Sequence, residues 1–443
     1  MRAAMLPFDN LDTFTVISED RIGTNAGNMF FQYSLSRILT VDDNTSIDAI
    51  STTKSRTKEE VNRINKEYDC FVLPLANAFR VSFQEELRKI TKLIKQLKIP
   101  CVVVGVGLQA GVSVKQEDMS FSFDQDVKDF MRAVLDKSDI VGVRGELTAA
   151  YLKNLGFAEG RQYQMIGCPS LFAFGDKLPE TRRKPLTKDS MVCYNSSILL
   201  PQKFHDFLNK CRTQFPNHYF IPQNTADYRM LYAGVPIPLS RKGKVPENYP
   251  QHAYDSLFLE DRARAFLNVP TWLNFTGQAV MNYGSRIHGN IAGVLAGTPS
   301  FIFANDARVL ELAQYHKVPY MLAKDITEKT DLTDIYEKTD FETVHEGHEK
   351  RFESYLEFLQ KNGLRTIYDE TRNPEWIPFD ERMKQITLEP PIHSFLTQSA
   401  EERVKRMERF YEFLSEREPR PAKVSTEGRN KTYKRAIKKV FRI

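Results

Sequence analysis

The sequence lacks most of what would place it outside the ordinary globular class. No window approaches roughly 18 uninterrupted apolar residues, which argues against a spanning helix. The N-terminal MRAAMLPFDNLDTF has no apolar core of a secretory signal. Cysteines number only five, Cys70, Cys101, Cys168, Cys193 and Cys211; the count is odd and no C-x-x-C pair occurs. Most lie in apolar runs, so they read as buried reduced thiols in a cytosolic protein, not as a disulfide framework or zinc site. With 21 glycines and 22 prolines in 443 residues, the chain is neither collagen-like nor low-complexity. At 41% hydrophobic and 27% charged residues, it is not disordered over its length. Walker and Gly-x-Ser-x-Gly loops are missing. His345 and His348 fall in HEGHE, which is not H-E-x-x-H and reads as a solvated helix face. No metal site is expected.

Basic charge is confined to one end. The net charge is +5, yet residues 429–443, RNKTYKRAIKKVFRI, hold seven Lys/Arg and no acid. Removing those seven charges leaves −2 on the rest. A body without a basic face argues against a nucleic-acid partner. Within the tail, Tyr433, Ile437, Val440 and Phe441 recur at helical spacing, so 429–443 is a basic amphipathic segment suited to an anionic membrane surface.

Short apolar runs alternate with amphipathic stretches. Thr13–Ile17, Cys70–Leu75, Cys101–Val106, Ile140–Val143 and Tyr163–Ile166 read as strands, with helices over about 29–39, 83–97, 127–135 and 147–155. A polar, Pro-containing stretch, 177–188, interrupts this pattern, which then restarts. Strands are expected at 191–194, 219–222, 299–303 and 316–321, and helices at 202–214, 261–266, 290–296 and 307–315. Continuous apolar strands between helices imply parallel sheets covered on both faces. The expected architecture is α/β: two Rossmann-like domains, 1–176 and 189–322, facing across a cleft. A helical extension over 323–428, including a helix at 343–362, packs back on them before the tail 429–443.

Three segments carry candidate chemistry. Arg286 and His288 lie two apart after a strand, and extended backbone would point both into one space. His288 also stands at the start of a helix, whose free N–H groups attract anions. Gly289 permits close approach, and Asn290 follows. An arginine grips a carboxylate or phosphate bidentately, and a histidine moves protons near neutral pH. Arg144, just past Val141–Val143, would sit at the crevice edge. The loop Asn25-Ala26-Gly27-Asn28 precedes a helix where doubly wound folds bind ligands. Gly105–Ala110 formally matches G-x-G-x-x-A, but no helix opens at once, so it reads as a tight strand exit lining the same crevice.

The block Arg286-Ile287-His288, Gly297-Thr298-Pro299, Phe301-Ile302-Phe303, Arg308–Glu311 resembles the polysaccharide pyruvyl transferase family. Asn25-Ala26-Gly27-Asn28 and Val143-Arg144-Gly145-Glu146 occur in the family's order, so the resemblance runs over roughly 12–322. Three departures stand out. Asn28 takes the place of an aspartate, Gly145 loosens the family's V-R-D, and the family's G-D-P turn reads Gly167-Cys168-Pro169. The resemblance implies a double-Rossmann enzyme that moves the enolpyruvyl unit of phosphoenolpyruvate onto a sugar, as a ketal, with release of phosphate. It implies His288 and Arg286 as catalytic residues. Arg144, Asn25, Gly27, Asn28, Gly289, Asn290 and Arg308 would bind substrate. It implies no cofactor. Partners would be phosphoenolpyruvate and a cell-surface sugar or its lipid-linked precursor, met in the cytoplasm or peripherally at the inner membrane face. Alternatives are a nucleotide-sugar glycosyltransferase, with Glu311 the nearby candidate for ribose, and a non-catalytic scaffold of exopolysaccharide assembly.

Overall fold

A computed structural model of the protein describes residues 2–4, 13–19, 22–48, 50, 56–114, 119–236 and 246–417. The basic segment 429–443 lies outside them. The strands are β1 (Arg2–Ala4), β2 (Ser46–Asp48), β3 (Cys70–Pro74), β4 (Cys101–Val104), β5 (Val141–Val143), β6 (Tyr163–Met165), β7 (Val192–Asn195), β8 (His218–Phe220), β9 (Met281–Gly284), β10 (Ser300–Ala304) and β11 (Tyr320–Leu322). Five are buried throughout: β5, β7, β9, β10 and β4, whose CVVV run has no exposed residue. Each valine so covered contributes about 1.5–3 kcal/mol.

All pairings within the sheets are parallel. The first sheet runs β2-β1-β3-β4, and a bridge between Val106 and Val143 continues it to β5-β6. The second runs β8-β7-β9-β10-β11. Each therefore has the doubly wound order in which the second strand lies outside the first, and ligands bind where that order reverses.

The helices that matter to the site are α1 (Thr13–Glu19), α2 (Asn28–Leu39), α3 (Glu146–Asn154), α4 (Thr225–Ala233), α5 (Ile287–Leu295), α6 (Ala307–Tyr315), α7 (His348–Lys361) and α8 (Ala400–Arg417). Helix α2 joins the two cores. Phe30 and Tyr33 pack with the second sheet, and Phe31, Leu35 and Ile38 with the first. The extension folds back: Phe352, Tyr355 and Leu359 of α7 cover the first sheet. Among the described residues no helix is long and apolar enough to cross a membrane.

Three local expectations are corrected. Thr13–Ile17 belongs to helix α1, not to a strand, and the first strand is Arg2–Ala4. Its β-branched residues favour a strand, but Val16 and Ile17 bury with Tyr228, Leu231 and Phe410, and Arg229 donates to the Ile17 carbonyl at 3.0 and 3.2 Å. Residues 262–266 are extended, not helical, after a turn at Asp261 with φ +53°. Arg262 and Arg264 exchange backbone bonds with Phe220, and Ala265 with Ile392. His348 is buried, not solvated; its Nε2 bonds the Gly175 carbonyl at 3.1 Å beside Phe172. The helix there starts at His348 after a turn over Glu342–His345.

Candidate active site

The site forms where the C-terminal ends of both sheets meet. On the second-sheet side, β7 ends at Asn195 and β9 at Gly284. Gly284 has φ +146°, and a Cβ there would run into the Asn195 carbonyl, so only glycine lets the two strands close up. Asn195 then holds the start of α5, its Oδ1 accepting from Arg286 N at 2.6 Å. Every residue of α5 is buried, and its N-terminal N–H groups have no helical acceptor. Around this turn lie Gln223 Nε2, Ser196 Oγ and Ser285 Oγ, all buried and without a hydrogen-bond partner. A Cβ on Gly289 would stand 2.5 Å from Gln223 Nε2, so the glycine brings that amide over the turn.

Arg286 caps α5, and its side chain turns away from His288. Nε donates to Ser196 O at 3.2 Å and Nη2 to Asn224 Oδ1 at 2.8 Å. Asn224 in turn bonds Asp227, which accepts from Tyr249 Oη at 3.0 Å. The i, i+2 alignment expected of extended backbone does not occur, because the helix starts at Ile287. His288 instead faces the first-sheet side. Its Nε2 lies 3.6 Å from Cys168 Sγ, and a Cβ on Gly27 would lie 2.6 Å from its Nδ1. Burial, then Arg144 and Arg308, push its pKa down to about 3, so the imidazole is neutral at pH 7.

On the first-sheet side, Arg144 follows β5 and is 1% exposed. Its Nε donates to Gly105 O at 2.8 Å, its stem lies over Gly107, and its guanidinium is 5.9 Å from the Phe31 ring centre. Its Nη2 is buried without a partner, and burial pulls its pKa down to about 10. Arg308 lies in the first turn of α6 and bonds Asp306 Oδ2 at 3.0 Å. Arg80, six residues past β3, stands near it. With its amide oxygen turned toward them, Asn77 accepts from Arg308 Nη1 at 2.9 Å and from Arg80 Nη1. Both Arg80 Nε and Arg308 Nε are buried and unpartnered. The charge of Arg308 depresses the proton affinity of Arg80, Arg144, Arg286 and His288 alike, which puts one cation within reach of all four.

Glu311 ties the two walls together. It is 4% exposed and accepts from Thr148 N at 3.1 Å and Thr148 Oγ1 at 3.0 Å, across from α6 to α3. Burial pushes its pKa up to about 7.

Of the residues singled out in the sequence, His288, Arg144 and Arg308 converge with Gly27 and Gly289 as close-packed floor. Asn25 and Asn28 build their own loop. Asn25 Oδ1 accepts from Gly27 N at 2.9 Å, and Asn28 Nδ2 donates to Ile22 O at 3.0 Å. Asn290 is fully buried and donates to Gly284 O and Arg286 O. Arg80, Asn77, Ser196, Gln223 and Ser285 were not legible as site residues. Arg80 shares with Arg144 a place after a buried strand, which was the available signal.

The family model for polysaccharide pyruvyl transferase matches residues 46–307. That stretch contains Arg80, Arg144, Cys168, Arg286 and His288; the 25–28 loop lies before it, and Arg308 one residue beyond. No curated protein matches the chain in sequence. Among solved structures, UDP-GlcNAc 2-epimerase from Neisseria meningitidis, bound to UDP-GlcNAc, aligns with TM-score 0.44 at 9% identity, over 82% of this chain and 100% of that one. HepE of Anabaena, solved with UDP and glucose, aligns with TM-score 0.37 at 10% identity, over 82% and 96%. An uncharacterized protein from Klebsiella pneumoniae aligns with TM-score 0.36 at 11% identity, over 67% and 88%. The family match spans more than half the chain, and the R-x-H block and Arg144 fall inside it: the protein belongs to the polysaccharide pyruvyl transferase family of transferases.

Proposed function

We propose that the chain carries the enolpyruvyl group of phosphoenolpyruvate onto two hydroxyls of a sugar, as a ketal, and releases phosphate. One observation carries this reading. Three arginines, Arg80, Arg144 and Arg308, each keep a buried guanidinium nitrogen without a partner, and the field of Arg308 reaches the other two and His288. A buried guanidinium nitrogen left without a partner is costly unless an anion joins it. The donor brings two anions, a carboxylate and a phosphate. The guanidinium side suits the planar carboxylate, and the α5 N-terminus with Ser196, Ser285 and Gln223 suits the phosphate.

His288 stands between these two groups of donors. An anion bound beside it raises its proton affinity, opposing the effect of the arginines. It then delivers a proton to the methylene carbon, using the electrons of the double bond. The adjacent carbon becomes oxocarbenium-like and is attacked by a sugar oxygen. Its bond to the phosphate oxygen breaks, and the second hydroxyl closes the ketal. Of the two hydroxyl protons, one replaces the proton given to the methylene and the other leaves with phosphate. Fixed cations around the developing charges supply most of the rate.

The nucleotide-sugar reading needs Glu311 on a ribose, but Thr148 engages both its oxygens. The acceptor is a cell-surface sugar or its lipid-linked precursor, and residues 429–443 hold the enzyme to an anionic membrane surface. Deleting 429–443 should abolish sedimentation with anionic liposomes. The deciding experiment is calorimetric titration of the full chain with phosphoenolpyruvate and, in parallel, uridine diphosphate sugars. Saturable binding of phosphoenolpyruvate alone is expected. Binding of the nucleotide sugar alone moves the chain to the glycosyltransferase reading, and binding of neither to the scaffold reading.

A further inference from the structure

Of the five cysteines, Cys168 alone touches the site. Cys70, Cys101, Cys193 and Cys211 lie in the cores, where burial pushes their thiols up, Cys70 and Cys211 to about 12. Cys168 sits in a rigid turn. Gly167 before it has φ +68° and is packed against Tyr315 and His316. Pro169 opens a 3-10 turn after it. Its backbone N donates to His316 Nε2 at 2.8 Å, which fixes the direction of the side chain. That side chain is wholly buried, with Sγ 3.6 Å from His288 Nε2. Arg144, with its unpartnered Nη2, lies within the electrostatic reach of the same sulfur.

The contact is to the nitrogen of His288 that faces away from Gly27. A thiol is a weak donor and a neutral imidazole nitrogen a good acceptor. An S–H donated to Nε2 leaves the single ring proton on Nδ1, the nitrogen on the Gly27 side.

We propose that Cys168 is the proton partner of His288: its thiol sets the imidazole tautomer and supplies a proton to Nε2 as Nδ1 gives its own to the donor. The transfer step rests on the phosphoenolpyruvate reading; the tautomer assignment does not. The balance is closed. The methylene carbon gains the Nδ1 proton, Nε2 gains the thiol proton, and the sulfur keeps the electron pair as thiolate beside Arg144. The first hydroxyl proton of the sugar returns to the sulfur through His288, restoring the pair. Cys168 does not touch the donor, so it is a positioning residue.

The test uses full-length protein with isotope-labelled histidine and proton–nitrogen correlation spectra, which separate the two neutral tautomers. The resonance missing from His288→Ala assigns the signal. Wild type should show His288 protonated on Nδ1. Cys168→Ser, which keeps a donor, should preserve that pattern, and Cys168→Ala should lose it. Phosphoenolpyruvate titrated into each variant checks the fold and the donor reading separately. A proton on Nε2 in wild type, or a Cys168→Ala spectrum identical to wild type, overturns the proposal whether or not phosphoenolpyruvate binds. Failure of wild type to bind phosphoenolpyruvate, with the tautomer shift intact, removes the donor reading and the transfer step. It leaves Cys168 as the residue that orients His288.

Discussion

The two sheets share one strand order but supply opposite kinds of chemistry. The first contributes guanidiniums, Arg80 and Arg144, and contains no histidine, since the first in the chain is His205. The second contributes amides, hydroxyls, a helix N-terminus and His288, with its own arginines engaged by neighbours: Arg286 by Asn224 and Ser196, and Arg308 by Asp306. Both walls keep buried polar atoms unpartnered. On the first wall these are cations, so their cost is electrostatic; on the second, Arg308 Nε apart, they are neutral, and their cost is a missing hydrogen bond. An anion relieves both, most strongly where the charge lies.

The largest difference should appear in acid. His205, His218, His288, His316 and His348 are buried and held neutral, with pKa values of about 4 for His205 and His348 and about 3 for His218 and His288. Because their folded pKa values lie below the unfolded value, the unfolded chain binds more protons as pH falls below about 6.5. Stability is therefore lost from there downward. Glu311, raised to about 7, acts in the opposite sense between its unfolded value and 7, but it is one group against five. Between pH 7 and 5 the net loss should be on the order of several kcal/mol. Hydrogen exchange should show β7–β9 opening before β3–β4; simultaneous loss would break the contrast between the sheets.

Next in size is Arg144→Met. Removing a buried, incompletely paired cation should weaken phosphoenolpyruvate binding by about 100-fold or more, while stability rises by about 1–2 kcal/mol. Calorimetric titration and thermal melts read the two effects, and a fall in both would make Arg144 structural. The neutral wall should respond less. Ser196→Ala and Ser285→Ala should each weaken binding by about 5–10-fold, one neutral hydrogen bond apiece. Smallest is Asn28→Ala, which removes bonds to Ile22 and Gly23. It should cost about 1 kcal/mol of stability and leave phosphoenolpyruvate affinity within about twofold. A large affinity loss there would return the 25–28 loop to the binding surface.

Much of the fold was legible because buried parallel strands must be apolar throughout. Cys70–Pro74, Cys101–Val104 and Ser300–Ala304 announce themselves in any frame. Where local preference and packing disagree, the sequence misleads. Thr13–Ile17 has strand propensity and becomes helix because its apolar face is covered by α4 and α8. Residues 261–266 look helical, yet 262–266 become extended because Phe220 at the sheet edge needs backbone partners. The same division runs through the site. Arg144 and the R-x-H block follow strands closely enough to be placed from sequence. Arg80 and Gln223 are ordinary residues until the two sheets meet.

Local sequence determined the parallel strands and the presence of arginine and histidine at strand ends, because these depend on backbone propensity and short-range spacing. Tertiary structure alone decided that Arg286 faces Asn224, that His288 faces Cys168, and that Arg80, Arg144 and Arg308 share one space. Those outcomes depend on which buried groups find partners when two separately wound sheets close on each other, and residues 62 to 228 positions apart settle that.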